Sequence, residues 1–177
     1  SFIGQPFPKR ELSFTTEVGF LKHFRLSGLL DYKGGHYQYN RSSSIRCGDP
    51  TGAFCEARQL PQNASLAEQA RIVARRNPAV ASVAGFIEKA DFWKLREVAL
   101  TFTPPASWVD RIAFARSLSF SLAGRNLKTW TDYTGWDPEG NIPGSVSIAQ
   151  DPGRFFTVDL FAVPLPRTYV FRVDVGM

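Results

Sequence analysis

The chain is predicted to be all-β, made of long antiparallel strands of the kind that line a transmembrane β-barrel, and three observations predict it. The first is Arg167–Met177 (RTYVFRVDVGM), where Tyr169, Phe171, Val173, Val175 and Met177 fall on one face of an extended segment and Val170, Arg172, Asp174 and Gly176 on the other. Period-two alternation of aromatics against charges marks a two-faced strand. That segment alone serves equally as the closing strand of an outer-membrane barrel or the last strand of a soluble sandwich. The second is composition: 15 Phe, 5 Tyr and 4 Trp, with 14 Gly and 12 Pro as punctuation, which favours strands and turns over a helical bundle. The third is rhythm. Connections around Lys22 and Pro104 read as short and the others as long, the sorting of short periplasmic turns and long external loops in a barrel wall.

A length of 177 residues fits one domain, and the net charge of +5 is spread along the chain rather than blocked, so nucleic acid is not an expected partner. The longest run without charge or strong polarity, Ala79–Ile87, has nine residues, against roughly 20 for a spanning helix. Ser1–Arg10 lacks the cationic, apolar and small-residue regions of a signal peptide. Met177 is the one methionine, so the chain is expected to be processed or a piece of a longer one.

Leu12–Asp31 reads as a hairpin turning near Lys22-His23, with Leu29 as the exception to its alternation. Gly34–Gly85 reads as a long external excursion with one short helix, capped by Ser65 and Glu68, carrying Leu66, Ala70 and Val73 on its apolar face, and stopped by Asn77-Pro78. Asn63-Ala64-Ser65 spells a glycosylation sequon and is read as part of that cap. Asp91–Thr103 returns to strand, Ala106–Phe114 suits a short helical turn, and Leu118, Phe120 and Leu122 alternate with serines in a further strand. Lys128–Gly153 reads as a second long loop, and Phe155–Phe161 as a strand extension or a loop hairpin. Five long strands are expected: Glu11–Leu21, His23–Lys33, Phe86–Thr103, Arg116–Leu127 and Arg167–Gly176. Their outward rows should carry Phe14, Leu26, Leu30, Leu100, Phe120, Phe171 and Val173.

Cys47 and Cys55 are the only cysteines, and Gly48, Asp49, Pro50 and Gly52 make the residues between them a turn. A short-loop disulfide is expected, and with it an oxidising compartment. Catalytic chemistry is sparse. His23 and His36 have no Asp or Ser partner at a recognisable spacing, and nucleophile-elbow, Walker and dinucleotide fingerprints are missing. Asp132, Asp137, Glu139 and Asn141 are oxygen ligands of the calcium type, but Asp137-Pro138-Glu139-Gly140 is equally a turn sequence, and no metal is expected. Trp130, Tyr133 and Trp136 cluster where they can contact substrate by stacking, or pack the loop or form an interfacial girdle.

Three segments resemble the C-terminal end of SusC/RagA-type TonB-linked outer-membrane proteins. They are ADFWKLREVALTFTPP (Ala90–Pro105), LAGRNLKTWTDYTGWDPEGN (Leu122–Asn141) and PLPRTYVFRVDVGM (Pro164–Met177). Members of that family usually end in Phe, whereas Met177 stands here. The resemblance implies that residues 1–177 are the C-terminal part of a TonB-dependent receptor barrel. They would supply about the last five of some 22 strands, with the plug and the N-terminal strands lying outside the chain. It implies nutrient import of glycans or peptides across the cell outer membrane, no enzymatic activity and no cofactor. Partners would be the remaining barrel and plug, a surface lipoprotein of SusD type, TonB through the plug region, and outer-membrane lipid. Tyr169, Phe171, Val173, Val175 and Met177 would form the closing strand. The alternative is a truncated, barrel-derived structural subunit of a membrane-associated complex, and a soluble β-sandwich binding module is the third reading.

Overall fold

The computed structural model describes residues 3–112, 115–140 and 157–177. In chain order the strands are β1 (Arg10–Phe20), β2 (Phe24–Gly34), β3 (Tyr37–Asn40), β4 (Ile87–Lys89), β5 (Phe92–Phe102), β6 (Ser117–Thr131), β7 (Val158–Asp159) and β8 (Thr168–Gly176). The helices are α1 (Arg41–Gly48), α2 (Glu56–Gln59), α3 (Leu66–Arg76) and α4 (Ala106–Val109). They form two compact units. The strand unit comprises Glu11–Lys33, Phe92–Trp130 and Leu165–Met177, and the loop unit Ser1–Arg10, Gly34–Asp91 and Thr131–Pro164. Among the described residues no helix is long and apolar enough to cross a membrane.

The strand unit is a five-stranded sheet in the order β1-β2-β5-β6-β8. The β2–β5 and β6–β8 pairs are antiparallel by register. Side-chain contacts of Thr101 with Ser121 and of Glu97 with Arg125 run in opposite senses along β5 and β6. The expected rows share one face: Leu26 lies opposite Leu100, Leu30 opposite Leu95, and Phe120 opposite Val173. β1 and β2 are joined by a tight turn in which Leu21 (φ 51°) and Lys22 (φ 61°) both adopt the left-handed conformation. Two successive residues of that kind meet the positive-φ requirement of a tight hairpin turn, and the His23 amide bonds back to the Leu21 carbonyl at 2.7 Å.

β5 carries a bulge that the sequence does not announce. Register passes from Leu29 opposite Glu97 to Leu30 opposite Leu95, so Arg96 is the extra residue on β5. The extra residue reverses the side-chain parity. Trp93 and Leu95 therefore share the apolar face with Val98, Leu100 and Phe102, although the two groups differ in odd-even position. Leu29, the exception in the hairpin, lies opposite Glu97 on the other face.

Several expectations need correction. The single strand expected over Phe86–Thr103 is two, in different sheets. Ala90 is fully buried and donates its amide to the His36 carbonyl (3.0 Å). Asp91 receives the Gly35 amide (2.7 Å) and the Lys89 ammonium (2.8 Å), so the chain changes sheet between β4 and β5. β6 runs to Thr131, four residues past the expected Leu127. The connection after Pro104 is not short: residues 103–116 lie between β5 and β6 and include α4. Gly34–Gly85 holds β3 and three α-helices rather than one. On α3, Leu66 and Val73, expected to face a core, are 83% and 67% exposed, and Ile72 is the buried residue. Asn141, Phe114 and Phe155 lie outside the described residues.

The loop unit builds around a three-stranded sheet ordered β4-β3-β7, with β3 antiparallel to β4 and parallel to β7. Its core is Cys55, Ile72 and Phe86, with Tyr39, Cys47 and Ala57 against it. α1 starts where Asn40, fully buried, accepts the Ser43 amide at 3.0 Å. α3 starts where Ser65 accepts the Glu68 amide at 3.2 Å, the expected cap. The Glu68 carboxylate itself meets Arg71 at 3.2 Å.

Candidate functional site

The strand unit has two chemically opposite faces. On the apolar face aromatic rings form a chain across the strands: Phe20 to Phe24 (5.5 Å between centroids), Phe24 to Phe102 (4.8 Å), Phe102 to Phe120 (6.4 Å) and Phe120 to Phe171 (6.4 Å). Tyr32 and Phe14 both meet Trp93. Such rows have no internal cover. Phe14, Phe20, Leu26, Leu100, Phe171 and Val173 are all exposed, and large contiguous apolar surface marks a membrane or partner contact.

On the polar face neighbouring strands are tied by ion pairs: Glu17 with Arg25 (3.3 Å), Glu11 with Lys33 (3.8 Å), Asp31 with Arg96 (2.8 Å) and Glu97 with Arg125 (2.7 Å). Arg172 and Asp174 pair within β8 at 2.7 Å. Ser13 adds a hydrogen bond to Asp31 (2.7 Å) and Thr101 one with Ser121 (3.0 Å). The sheet is thus apolar on one side and tied by ion pairs on the other.

The loop unit is cross-linked by the expected disulfide, Cys47–Cys55, with Cα atoms 4.9 Å apart. Arg58 fills the ring so closed, donating to the carbonyls of Cys47 (3.3 Å), Pro50 (3.2 Å) and Asp49. The Asp49 carboxyl is held below its ordinary range mainly by the Thr51 hydroxyl that hydrogen-bonds to it. Asp137 accepts the Glu139 amide (2.9 Å), and its carbonyl accepts the Gly140 amide (3.0 Å), the local pattern of a turn. Among the described residues no group of three or more His, Cys, Asp or Glu is placed to hold a metal.

The three aromatics grouped by sequence have different fates. Trp130 ends the strand unit with the Lys128 ammonium 5.1 Å above its ring. Trp136 is 57% exposed in the loop unit, whereas Tyr133 is 5% exposed and donates its hydroxyl to Asp159 Oδ2 (3.1 Å). Asp159, absent from the sequence expectations, is the hub of that region. Ser42 Oγ donates to its carboxylate (3.4 Å) and in turn accepts the Phe161 amide (2.7 Å). Burial drives the Asp159 carboxyl above its usual range, against the lowering effect of these donors and of the Trp136 and Ala162 amides. Burial, and then the Asp159 charge, push the Tyr133 phenol well above its ordinary value, so it remains a donor. A Cβ at Gly135 would overlap both the Tyr133 ring and the Asp159 carboxylate. No local motif flags a lone Asp in VDLF; only the fold gives it partners.

No family model matches the sequence, and no curated protein matches it. Solved structures do. A structure of the RagAB peptide importer in the open-open state matches 97% of this chain with a TM-score of 0.67 at 19% identity. A structure of the RagAB peptide transporter matches 86% of the chain (TM-score 0.59, 19% identity), and the closed-closed importer 87% (TM-score 0.59, 20% identity). The likeness establishes a shared fold. This chain spans 16–17% of the length of those chains, and its five-stranded sheet is open at β1 and β8 among the described residues.

Proposed function

We propose that this chain is the C-terminal barrel segment of an outer-membrane nutrient importer of the SusC/RagA type, working by TonB-dependent uptake of peptides or glycans and performing no catalysis. The observation that carries the reading is the two-faced open sheet, in a chain of which 97% matches part of a peptide-importer chain. A row of exposed aromatics needs lipid, and an ion-paired face needs water or a plug. In this reading β1 and β8 pair with other strands of the same barrel, since unpaired edges otherwise invite aggregation. The loop unit lies on the external side, where a disulfide survives and a surface lipoprotein of SusD type would meet it. Trp130 and Trp136 are the exposed aromatics for contacting substrate, while Tyr133 supports the loop from within.

The test is made in cells with the full-length protein. It should sediment with outer-membrane markers and migrate heat-modifiably. Its disruption should abolish uptake of a peptide or oligosaccharide that also requires TonB. Recovery in the soluble fraction, or unchanged uptake of every peptide and oligosaccharide tried, would overturn the proposal.

A further inference from the structure

The whole net charge of +5 resides in the strand unit, which holds eleven Lys and Arg against six Asp and Glu. Five of the six acids are already matched on the polar face, by Lys33, Arg25, Arg96, Arg125 and Arg172. The excess therefore lies in cations outside that lattice. Three of them, Lys22, Arg111 and Arg116, sit at the end of the sheet that carries the β1–β2 turn. All three are exposed and make no ion pair among the described residues. Backbone bonds tie the segments that carry them to one edge: the Thr103 amide bonds the His23 carbonyl (2.8 Å), the Arg111 amide the Trp108 carbonyl (3.4 Å), and the Arg116 amide the Gly176 carbonyl (2.6 Å). Asp110, also exposed, is the sixth acid and stands at the same end.

Directly above this cationic edge the apolar face is at its most aromatic. Phe20, Phe24 and Phe102 stack in series, and Trp108, 56% exposed, meets Phe102 edge-on at 6.0 Å. Aromatic rings at headgroup depth with cations just beyond them are the arrangement that meets a lipid interface.

We propose that this end of the sheet binds the headgroups of anionic phospholipid. The rings would occupy the acyl–headgroup boundary, and Lys22, Arg111 and Arg116 would reach the phosphates. Guanidinium groups suit a phosphate through paired N–H donors, and the lysine acts as a point charge. The inference rests on the barrel reading, with the end that carries the tight β1–β2 turn facing the periplasmic leaflet, and it adds the lipid class.

The experiment uses the full-length protein purified in detergent, offered phosphatidylglycerol and phosphatidylcholine in equal amount, with retained lipid counted by native mass spectrometry. The unaltered protein should retain phosphatidylglycerol in preference. Lys22→Gln, Arg111→Gln and Arg116→Gln should each weaken that preference, roughly fivefold per cation, while heat-modifiable migration persists. The pair Lys128→Gln and Arg167→Gln, removing equal charge per residue at the opposite end, should leave it intact. A folded barrel with the same preference after all three neutralisations overturns the proposal, and is the result expected if this edge serves an acidic protein instead. A protein that never yields a heat-modifiable barrel overturns the membrane reading and takes this proposal with it.

Discussion

Asp159 shows how much one buried carboxylate can organise. Its acceptor oxygens draw in the Tyr133 hydroxyl, the Ser42 hydroxyl and two backbone amides, so residues on either side of 141–156 converge on it. Tyr133→Phe should cost the loop unit about 1–3 kcal/mol, because a buried acceptor loses its donor. Faster amide exchange across Thr131–Gly135 at neutral pH would report it. The same pair gives a pH signature. A phenol whose folded pKa is raised stabilises fully below the unfolded value near 10, and that contribution is lost as pH climbs above it. Exchange in this segment should therefore accelerate above about pH 10 in the unaltered protein, and less so in Tyr133→Phe. The disulfide makes a separate prediction. Replacing Cys47 and Cys55 with Ser should destabilise the loop unit by about 2–3 kcal/mol, the entropy expected of so short a ring, with the strand unit unaffected. Proteolytic cleavage confined to residues 48–60 would confirm that separation. Sequence showed this pair, since turn residues between two cysteines are a local signal. It did not show the Asp159 hub, whose partners come from far along the chain, and it grouped Trp130, Tyr133 and Trp136 by proximity when only Tyr133 turns inward.

Among the elements, alternation located every long strand of the sheet, because each strand buries or presents one face and the period is local. What alternation cannot show is a change of parity inside a strand. FWKLREVALTF holds two apolar groups out of phase, and only the pairing with β2 reveals that Arg96 absorbs the difference. The helix α3 is the converse case. Leu66, Ala70 and Val73 have the spacing of a core stripe, yet the core formed by Cys55 and Phe86 takes Ile72 instead. The bulge makes a sharp prediction. Deleting Arg96 should be tolerated, because Val98 then follows Trp93 and Leu95 in regular alternation, at the cost of the part-buried pair with Asp31. Deleting Ala99 breaks phase between Val98 and Leu100, which turns one apolar group towards the polar face. Heat-modifiable migration of the two variants in outer membranes should separate them, and equal assembly would show that the bulge is incidental. In the β1–β2 turn, Leu21→Asn should stabilise the hairpin by up to about 1 kcal/mol, since asparagine accepts the left-handed conformation that leucine adopts at a cost. A higher urea midpoint measured in micelles would register the gain.

At the scale of the molecule the question is what covers the sheet. Composition and loop rhythm pointed to a barrel wall, although the connection after Pro104 turned out longer than that rhythm supposed. The fold match to an importer chain at 19% identity shows that the two share a fold with little of their detailed sequence in common. Val173 and Asp174 are adjacent in β8 and face opposite ways, Val173 opposite Phe120 in the aromatic row and Asp174 opposite Ser119 beside Arg172. If the apolar face meets lipid, Val173→Arg places a cation in hydrocarbon, a cost of about 2–4 kcal/mol near the bilayer midplane, and assembly should fail. Asp174→Ala releases a well-exposed Arg172 on the watery side, where an exposed pair contributes at most about 1 kcal/mol, so assembly should proceed. A subunit packed between other proteins would respond differently, because a buried Arg172 stripped of its partner is costly as well. Failure of both variants in the full-length protein would therefore favour a covered structural subunit, and tolerance of both would remove the membrane from the account. Failure of Val173→Arg alone is the outcome expected of a barrel wall.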